Sequence, residues 1–248
     1  CLSCTFKSPV LRISTHASVI LPEYPTQPCG TLILLHGLGG AYDTWNRNSS
    51  IERYALRHNL AVIMPEVQRG WYTDMAYGLP YFTYVTEELP RLAAHMFRVP
   101  IDPEHLYVAG QSMGGYGALK CALTYPDRYA GCIALSARCC VQNKLKLIED
   151  DPGQIREWQA ILGEDLIVKP ENDLYALLAR IRKPAASPRF YVACGTEDFL
   201  YSESVDMAAA LRKTFDHVKY EECPGVHDFV FWDVAIQHGL SSVLPKGE

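Results

Sequence analysis

One serine in this chain stands where its hydroxyl could act as a nucleophile: Ser112, in Gly110-Gln111-Ser112-Met113-Gly114. A serine hydroxyl is weak by itself and needs an adjacent base that a third group orients. The flanking sequence supplies a setting for that chemistry. Leu106-Tyr107-Val108-Ala109 is an apolar run of strand type, and Tyr116-Gly117-Ala118-Leu119-Lys120-Cys121-Ala122-Leu123 reads as a small-residue helix. Gly-x-Ser-x-Gly between such a strand and helix is an elbow that holds the Oγ out above the sheet. Gly110 and Gly114 are required because a side chain at either would collide where strand and helix nearly touch.

The partners of such a serine follow it in the chain, acid first and histidine last, each on a loop after a later strand. Gly195-Thr196-Glu197-Asp198 follows the apolar run 189–194, and Cys223-Pro224-Gly225-Val226-His227 follows a strand pattern near 217–222. Of eight histidines, His227 alone lies in the required place. Asp198 is the expected acid, with Glu197 its rival because a register shift of one residue exchanges them. A tetrahedral intermediate also needs donors aimed at its oxyanion. The backbone N–H of Met113 supplies one. The loop His36-Gly37-Leu38-Gly39-Gly40 supplies the second from Leu38, with Gly37 among the glycines that let the backbone approach a substrate. His36 itself reads as a structural hydrogen bonder.

These loops need a sheet to carry them. Strands are expected over 2–7, 10–21, 31–35, 60–65, 106–111, 131–136, 189–194 and 217–222, the middle ones as continuous apolar runs buried on both faces. Between them come helical patterns at 51–58, 81–97 with a kink near Pro90, 154–162, 173–182, 202–215 and from about His227 onward. Alternating strands and helices specify an α/β protein: a mostly parallel sheet of about eight strands with helices on both faces. No repeat or linker interrupts residues 1–248, so a single domain is expected, with a cap-like insertion at 137–188. The connection through Pro22, Pro25, Pro28 and Gly30 reads as turns.

Composition narrows the function. A net charge of −5 and the absence of any Lys/Arg run argue against nucleic acid as a partner. No apolar stretch approaches the ~20 residues of a membrane span, so the chain reads as soluble. The nine cysteines are odd in number and lack paired zinc-ligand spacing, which excludes a metal site of that type and fits a cytoplasmic protein with free thiols. No cofactor is called for.

The segments His36–Gly40, Trp71-Tyr72-Thr73-Asp74, Gly110–Gly117, Tyr125-Pro126-Asp127-Arg128 and His227–Asp233 together resemble the esterase D-like α/β-hydrolases. Within that group the chain is most similar to tributyrin esterases and cinnamoyl or feruloyl esterases, over nearly its whole length. The resemblance implies an α/β-hydrolase fold and a serine carboxylesterase acting on short acyl or aryl-acyl esters, hydroxycinnamoyl esters included. It also implies a Trp71–Asp74 loop that lines the pocket, with Trp71 and Tyr72 toward the substrate. The alternative is a thioesterase of the S-formylglutathione hydrolase kind, or an acyltransferase, on the same three residues. The first of these typically carries a cysteine in the glycine loop, where this chain has Gly39-Gly40. The expected partner is a small ester. The insertion, amphipathic through Ile155, Trp158, Ile161 and Leu162 and again through Leu174, Leu177, Leu178 and Ile181, is expected to wall an acyl pocket opposite the 71–77 loop, unless those faces only pack on the main core.

Overall fold

The computed structural model describes residues 1–22, 30–182 and 187–245. Pro25, Pro28 and Cys29 lie outside those residues. Eight strands form one sheet: β1 (Leu2–Ser8), β2 (Ile13–Ile20), β3 (Gly30–Leu35), β4 (Leu60–Pro65), β5 (Leu106–Gln111), β6 (Gly131–Leu135), β7 (Arg189–Gly195) and β8 (Val218–Cys223). Their spatial order is β1-β2-β4-β3-β5-β6-β7-β8. β1 and β2 pair antiparallel, as do β2 and β4; every later pairing is parallel. The central strands alternate their side chains between two apolar layers, which is why they read as unbroken hydrophobic runs. Leu32 and Leu34 enter one layer, Ile33 and Leu35 the other.

The helices are α1 (Thr44–Asn48), α2 (Ile51–Arg57), α3 (Tyr81–Thr83), α4 (Leu89–Phe97), α5 (Met113–Thr124), α6 (Val141–Lys146), α7 (Pro152–Leu162), α8 (Leu174–Arg180), α9 (Tyr201–Leu211) and α10 (Phe229–Val243). Ile51, Tyr54, Trp232, Ile236 and Leu240, from α2 and α10, pack on one sheet face. Residues of α4, α5 and α9 pack on the other. Truncating one of these fully buried residues, as in Leu34→Ala, costs about 2–5 kcal/mol through lost transfer energy and the cavity left behind. Residues 81–97 make one unbroken helical run, as expected, in which a π-helical turn, Tyr84–Glu88, joins α3 to α4 just before Pro90. Pro90, lacking an N–H, cannot donate to the turn behind it, and the Thr86 carbonyl accepts from Arg128 Nη1 at 2.8 Å instead.

The insertion between β6 and β7 holds α6, α7, a 3-10 turn (Pro170–Asn172) and α8. Asp151 and Asp173 cap α7 and α8 through their side chains. Trp158, Ile161, Leu162, Leu174, Leu177 and Leu178 all enter the same apolar layer as α5. The insertion also bonds directly to the 69–77 loop. Arg69 makes a two-pronged ion pair with Glu157 at 2.9 and 2.8 Å, and the N–H groups of Ala76 and Tyr77 donate to the carbonyls of Ile161 and Ala160. Loop and insertion thus lie side by side rather than on opposite walls. The sequence pattern marks an apolar face on each helix but not which neighbour it meets.

Candidate active site

Ser112 links β5 to α5 with φ 55° and ψ −116°, a backbone state that costs about 1–3 kcal/mol in a non-glycine residue. The surroundings impose it. Ser112 N–H donates to the Leu135 carbonyl of β6 at 2.9 Å, and its own carbonyl accepts from Tyr116 at 3.1 Å. A Cβ at Gly110 would overlap the Gly114 backbone, and one at Gly114 would overlap the Leu35 carbonyl. The glycines let helix, elbow and β3 approach this closely.

His227 Nε2 lies 3.0 Å from Ser112 Oγ, and His227 Nδ1 lies 2.8 Å from Asp198 Oδ2. The carboxylate accepts the Nδ1 proton, which leaves Nε2 free to accept from the serine hydroxyl. Two loops are pinned together to make this arrangement. A Cβ at Gly195 would overlap the Gly225 carbonyl, and the Glu197 carboxylate accepts from Gly225 N–H at 2.5 Å. Glu197 is exposed while Asp198 is buried. The two carboxylates therefore have separate tasks: Glu197 staples the loop and Asp198 meets the imidazole. Asp228, next to His227, caps α10 by accepting from the N–H groups of Val230 and Phe231, which fixes the backbone carrying the histidine.

Burial works to raise the pKa of Asp198, but hydrogen bonds from His227, the Leu200 N–H and the Ser136 hydroxyl outweigh it and hold the carboxyl below its ordinary value. Ser136 was legible in the sequence only as the end of a strand. It is fully buried, with φ 43°, and its Oγ also accepts from Trp232 Nε1 at 3.0 Å. Trp232 meets the His227 ring edge-on at 4.9 Å between centroids, and Phe199 lies against it at 4.5 Å. A serine immediately after a strand that flanks the elbow was the one signal available for it.

The glycine loop is held from behind. Val67 N–H donates to His36 Nε2 at 3.2 Å, which assigns the ring proton to Nδ1, 2.9 Å from the Gly37 carbonyl. That carbonyl also accepts from Gly40 N–H at 3.0 Å. In a trans peptide the carbonyl of residue 37 and the N–H of residue 38 point in opposite directions, so His36 aims the Leu38 N–H away from itself. Met113 is the first residue of α5, where N–H groups lack intrahelical acceptors and the helix dipole favours negative charge.

Three residues expected to touch substrate are placed differently. The Tyr72 side chain is fully buried, packed against Gly117, and its hydroxyl donates to the His36 carbonyl at 2.8 Å. It supports the glycine loop from below. Gly37 is buried against the Gln111 amide, where a Cβ would crowd Nε2. Its missing side chain makes room for the protein, not for a ligand. Trp71 is 4% exposed, with its ring 4.8 Å from that of Trp158 and 6.0 Å from that of Tyr116. Trp71 and Tyr72 both take left-handed backbone, φ 50° and 49°, which sequence reasoning cannot anticipate in two consecutive aromatics.

Among the described residues no His/Cys/Asp/Glu cluster could hold a metal, and the cysteines are free. Burial pushes the Cys121 thiol up to about 12 and Cys194 up to about 11, so neither is a thiolate at neutral pH.

Comparison with known proteins bears on this geometry. The model of the family described as "Putative esterase" matches residues 8–242. An acetyl esterase of Caldicellulosiruptor saccharolyticus is 30% identical, with 95% of this chain and 94% of that protein covered. The fluorophosphonate-binding serine hydrolase FphF of Staphylococcus aureus is 35% identical, with TM-score 0.88 over 99% of this chain and 98% of that one. The S-formylglutathione hydrolase FrmB of S. aureus is 36% identical, with TM-score 0.84 over 97% and 96%.

Proposed function

The chain belongs to the family described as "Putative esterase", and on that premise we propose that it is a serine carboxylesterase hydrolysing short acyl and aryl-acyl esters through an acyl-enzyme. The supporting observation is the relay from Ser112 Oγ through His227 to Asp198, at 3.0 and 2.8 Å. Ser112 Oγ attacks the ester carbonyl while His227 Nε2 takes its proton, and the Asp198 carboxylate stabilises the imidazolium. The N–H groups of Met113 and Leu38 receive the oxyanion. The imidazolium then protonates the departing alcohol, and water repeats the sequence on the acyl-serine. In this reading Ser112, His227 and Asp198 are the catalytic residues.

A panel of aryl esters of increasing acyl length, with methyl ferulate and an S-acyl thioester, tests the reading beside a Ser112→Ala control. The best kcat/KM is expected for two to six carbons, because each mismatched methylene costs about 1–3 kcal/mol in a closed pocket. Ser112→Ala should lower kcat by about 10⁶, the scale found for a triad serine. Faster turnover of decanoyl than of butyryl esters overturns the closed pocket. The thioester arm addresses the second reading, which the likeness to FrmB favours; a preference for thioester over matched oxygen ester would select it. The proposal includes a cytoplasmic location, which the free thiols of the described cysteines support. No helix among the described residues is long and apolar enough to cross a membrane.

A further inference from the structure

Lys120 lies two turns along α5 from Ser112 and is only 2% exposed. A buried ammonium is costly unless each proton finds an acceptor. All three do. Nζ donates to the Tyr72 carbonyl at 3.1 Å, to Thr73 Oγ1 at 3.1 Å and to Asn172 Oδ1 at 2.7 Å, above the Phe82 ring at 4.5 Å. No step of the proposed reaction uses this lysine.

Its acceptors are informative. Trp71 and Tyr72 are the consecutive left-handed pair, and the ammonium holds the Tyr72 carbonyl directly. The Trp71 carbonyl accepts from the Thr73 hydroxyl at 3.0 Å, the same hydroxyl that accepts from Lys120. One buried charge therefore ties both carbonyls of the strained turn. The route continues through the Tyr72 hydroxyl to the His36 carbonyl, and through the His36 ring to the Gly37 carbonyl, whose peptide carries the Leu38 N–H.

We propose that Lys120 is a positioning residue for the oxyanion loop: its buried ammonium keeps the Trp71–Tyr72 turn left-handed, and Tyr72 passes that constraint to His36 and the Leu38 N–H. The assignment rests on the reading of Leu38 as an oxyanion donor.

The clamp depends on a proton. Burial lowers the Lys120 pKa to about 8, against the opposing pull of the Asp74 and Glu171 carboxylates. Facing it are Asp74 and Tyr72 from the turn, Glu171 and Lys169 from the insertion, and Tyr116 and Cys121 from its own helix. Losing the proton leaves two donors for three acceptors. Thr73 must then turn toward the amine lone pair and release the Trp71 carbonyl. The folded chain holds this proton less tightly than the unfolded chain does. Between about pH 8 and the ordinary value of 10.5, the group therefore makes the fold more stable as pH rises. Activity that falls across the lower part of that window is not explained by unfolding through Lys120.

The test measures kcat and KM for a butyryl ester from pH 6 to 10, with fluorophosphonate labelling of Ser112 and thermal unfolding alongside. Variants are Lys120→Met, Thr73→Val, Tyr72→Phe and the double Lys120→Met/Tyr72→Phe. The native kcat should show an alkaline limb near pH 8 with KM flat. Lys120→Met should lower kcat about tenfold, a part of the ~10²–10³ carried by a whole oxyanion donor, and lose the limb. Thr73→Val, which removes one acceptor from the ammonium, should move the limb to lower pH. In the Tyr72→Phe background, Lys120→Met should cost little more, since the route is already cut. A native profile flat to pH 9, a native-like kcat in Lys120→Met, or simply additive losses would overturn the clamp. Should Lys120→Met fail to fold, the limb in Thr73→Val decides. If the native enzyme is labelled at Ser112 yet hydrolyses no ester, the esterase reading fails by itself, and the labelling rate against pH takes the place of kcat.

Discussion

Asp198 and Glu197 are adjacent carboxylates with opposite surroundings, and their surroundings assign their roles. Asp198 is buried on the imidazole, while Glu197 is exposed on Gly225. Asp198→Asn should lower kcat by about 10⁴, by favouring the wrong imidazole tautomer, whereas Glu197→Gln should leave kcat within a few-fold. Steady-state kinetics on the butyryl ester separates the two outcomes, and their reversal would exchange the assignments. Ser136→Ala removes a hydrogen bond to a charged group, worth about 1.5–3 kcal/mol. It should lower kcat about 10- to 100-fold with KM nearly unchanged. At this scale the sequence showed Ser112, Asp198 and His227, because a strand end followed by a reactive side chain is a local signal. Trp71, Tyr72 and Gly37, expected as substrate contacts, pack against the protein instead, since a Gly-rich or aromatic loop does not say which of its sides faces the protein.

The elements were legible where burial alone defines them. All eight strands lie within a residue or two of the expected ranges, except β2, which is shorter because residues 9–12 form the turn from β1. What the pattern could not show is contact between remote segments, such as α7 against the 69–77 loop. A second such contact anchors the start of the insertion. Glu203 of α9 accepts from Arg138 Nη1 at 2.6 Å and from the N–H groups of Cys139 and Cys140 at 2.8 and 2.9 Å, and both charged side chains are nearly buried. Removing one partner strands the other charge, at a cost of about 3–5 kcal/mol. Glu203→Ala should therefore lower the Tm by about 6–20 °C, at about 2–4 °C per kcal/mol for a chain of this size. An unchanged melting curve would show that the anchor carries no stability.

For the whole molecule, acid is the informative stress. Asp198, Glu66, Glu87 and Glu221 all sit below their ordinary values: burial alone would raise each, but hydrogen bonds prevail, from His227 to Asp198, from the Gln68 and Tyr42 N–H groups to Glu66, from Arg128 to Glu87 and from His238 to Glu221. A lowered carboxylate contributes stability that is fully present above its unfolded pKa of about 4 and is lost as pH falls through the folded value. The urea midpoint should thus hold down to about pH 5 and fall steeply below pH 4. A midpoint already falling between pH 7 and 6 would trace the loss to histidines instead.

The parallel order of the central sheet has a further consequence, for the way the chain acquires its reactivity in time. Ser112 and His227 are 115 residues apart, and the second arrives only when β8 docks on β7 at the far end of the sheet. Parallel neighbours are joined by long crossovers, and such non-local pairings form slowly. On dilution from urea, helix signal in far-ultraviolet circular dichroism should therefore return before Ser112 becomes reactive toward a fluorophosphonate. The reagent then acts as a clock for the final strand: it marks only chains whose edge has closed and passes over compact ones that have not finished.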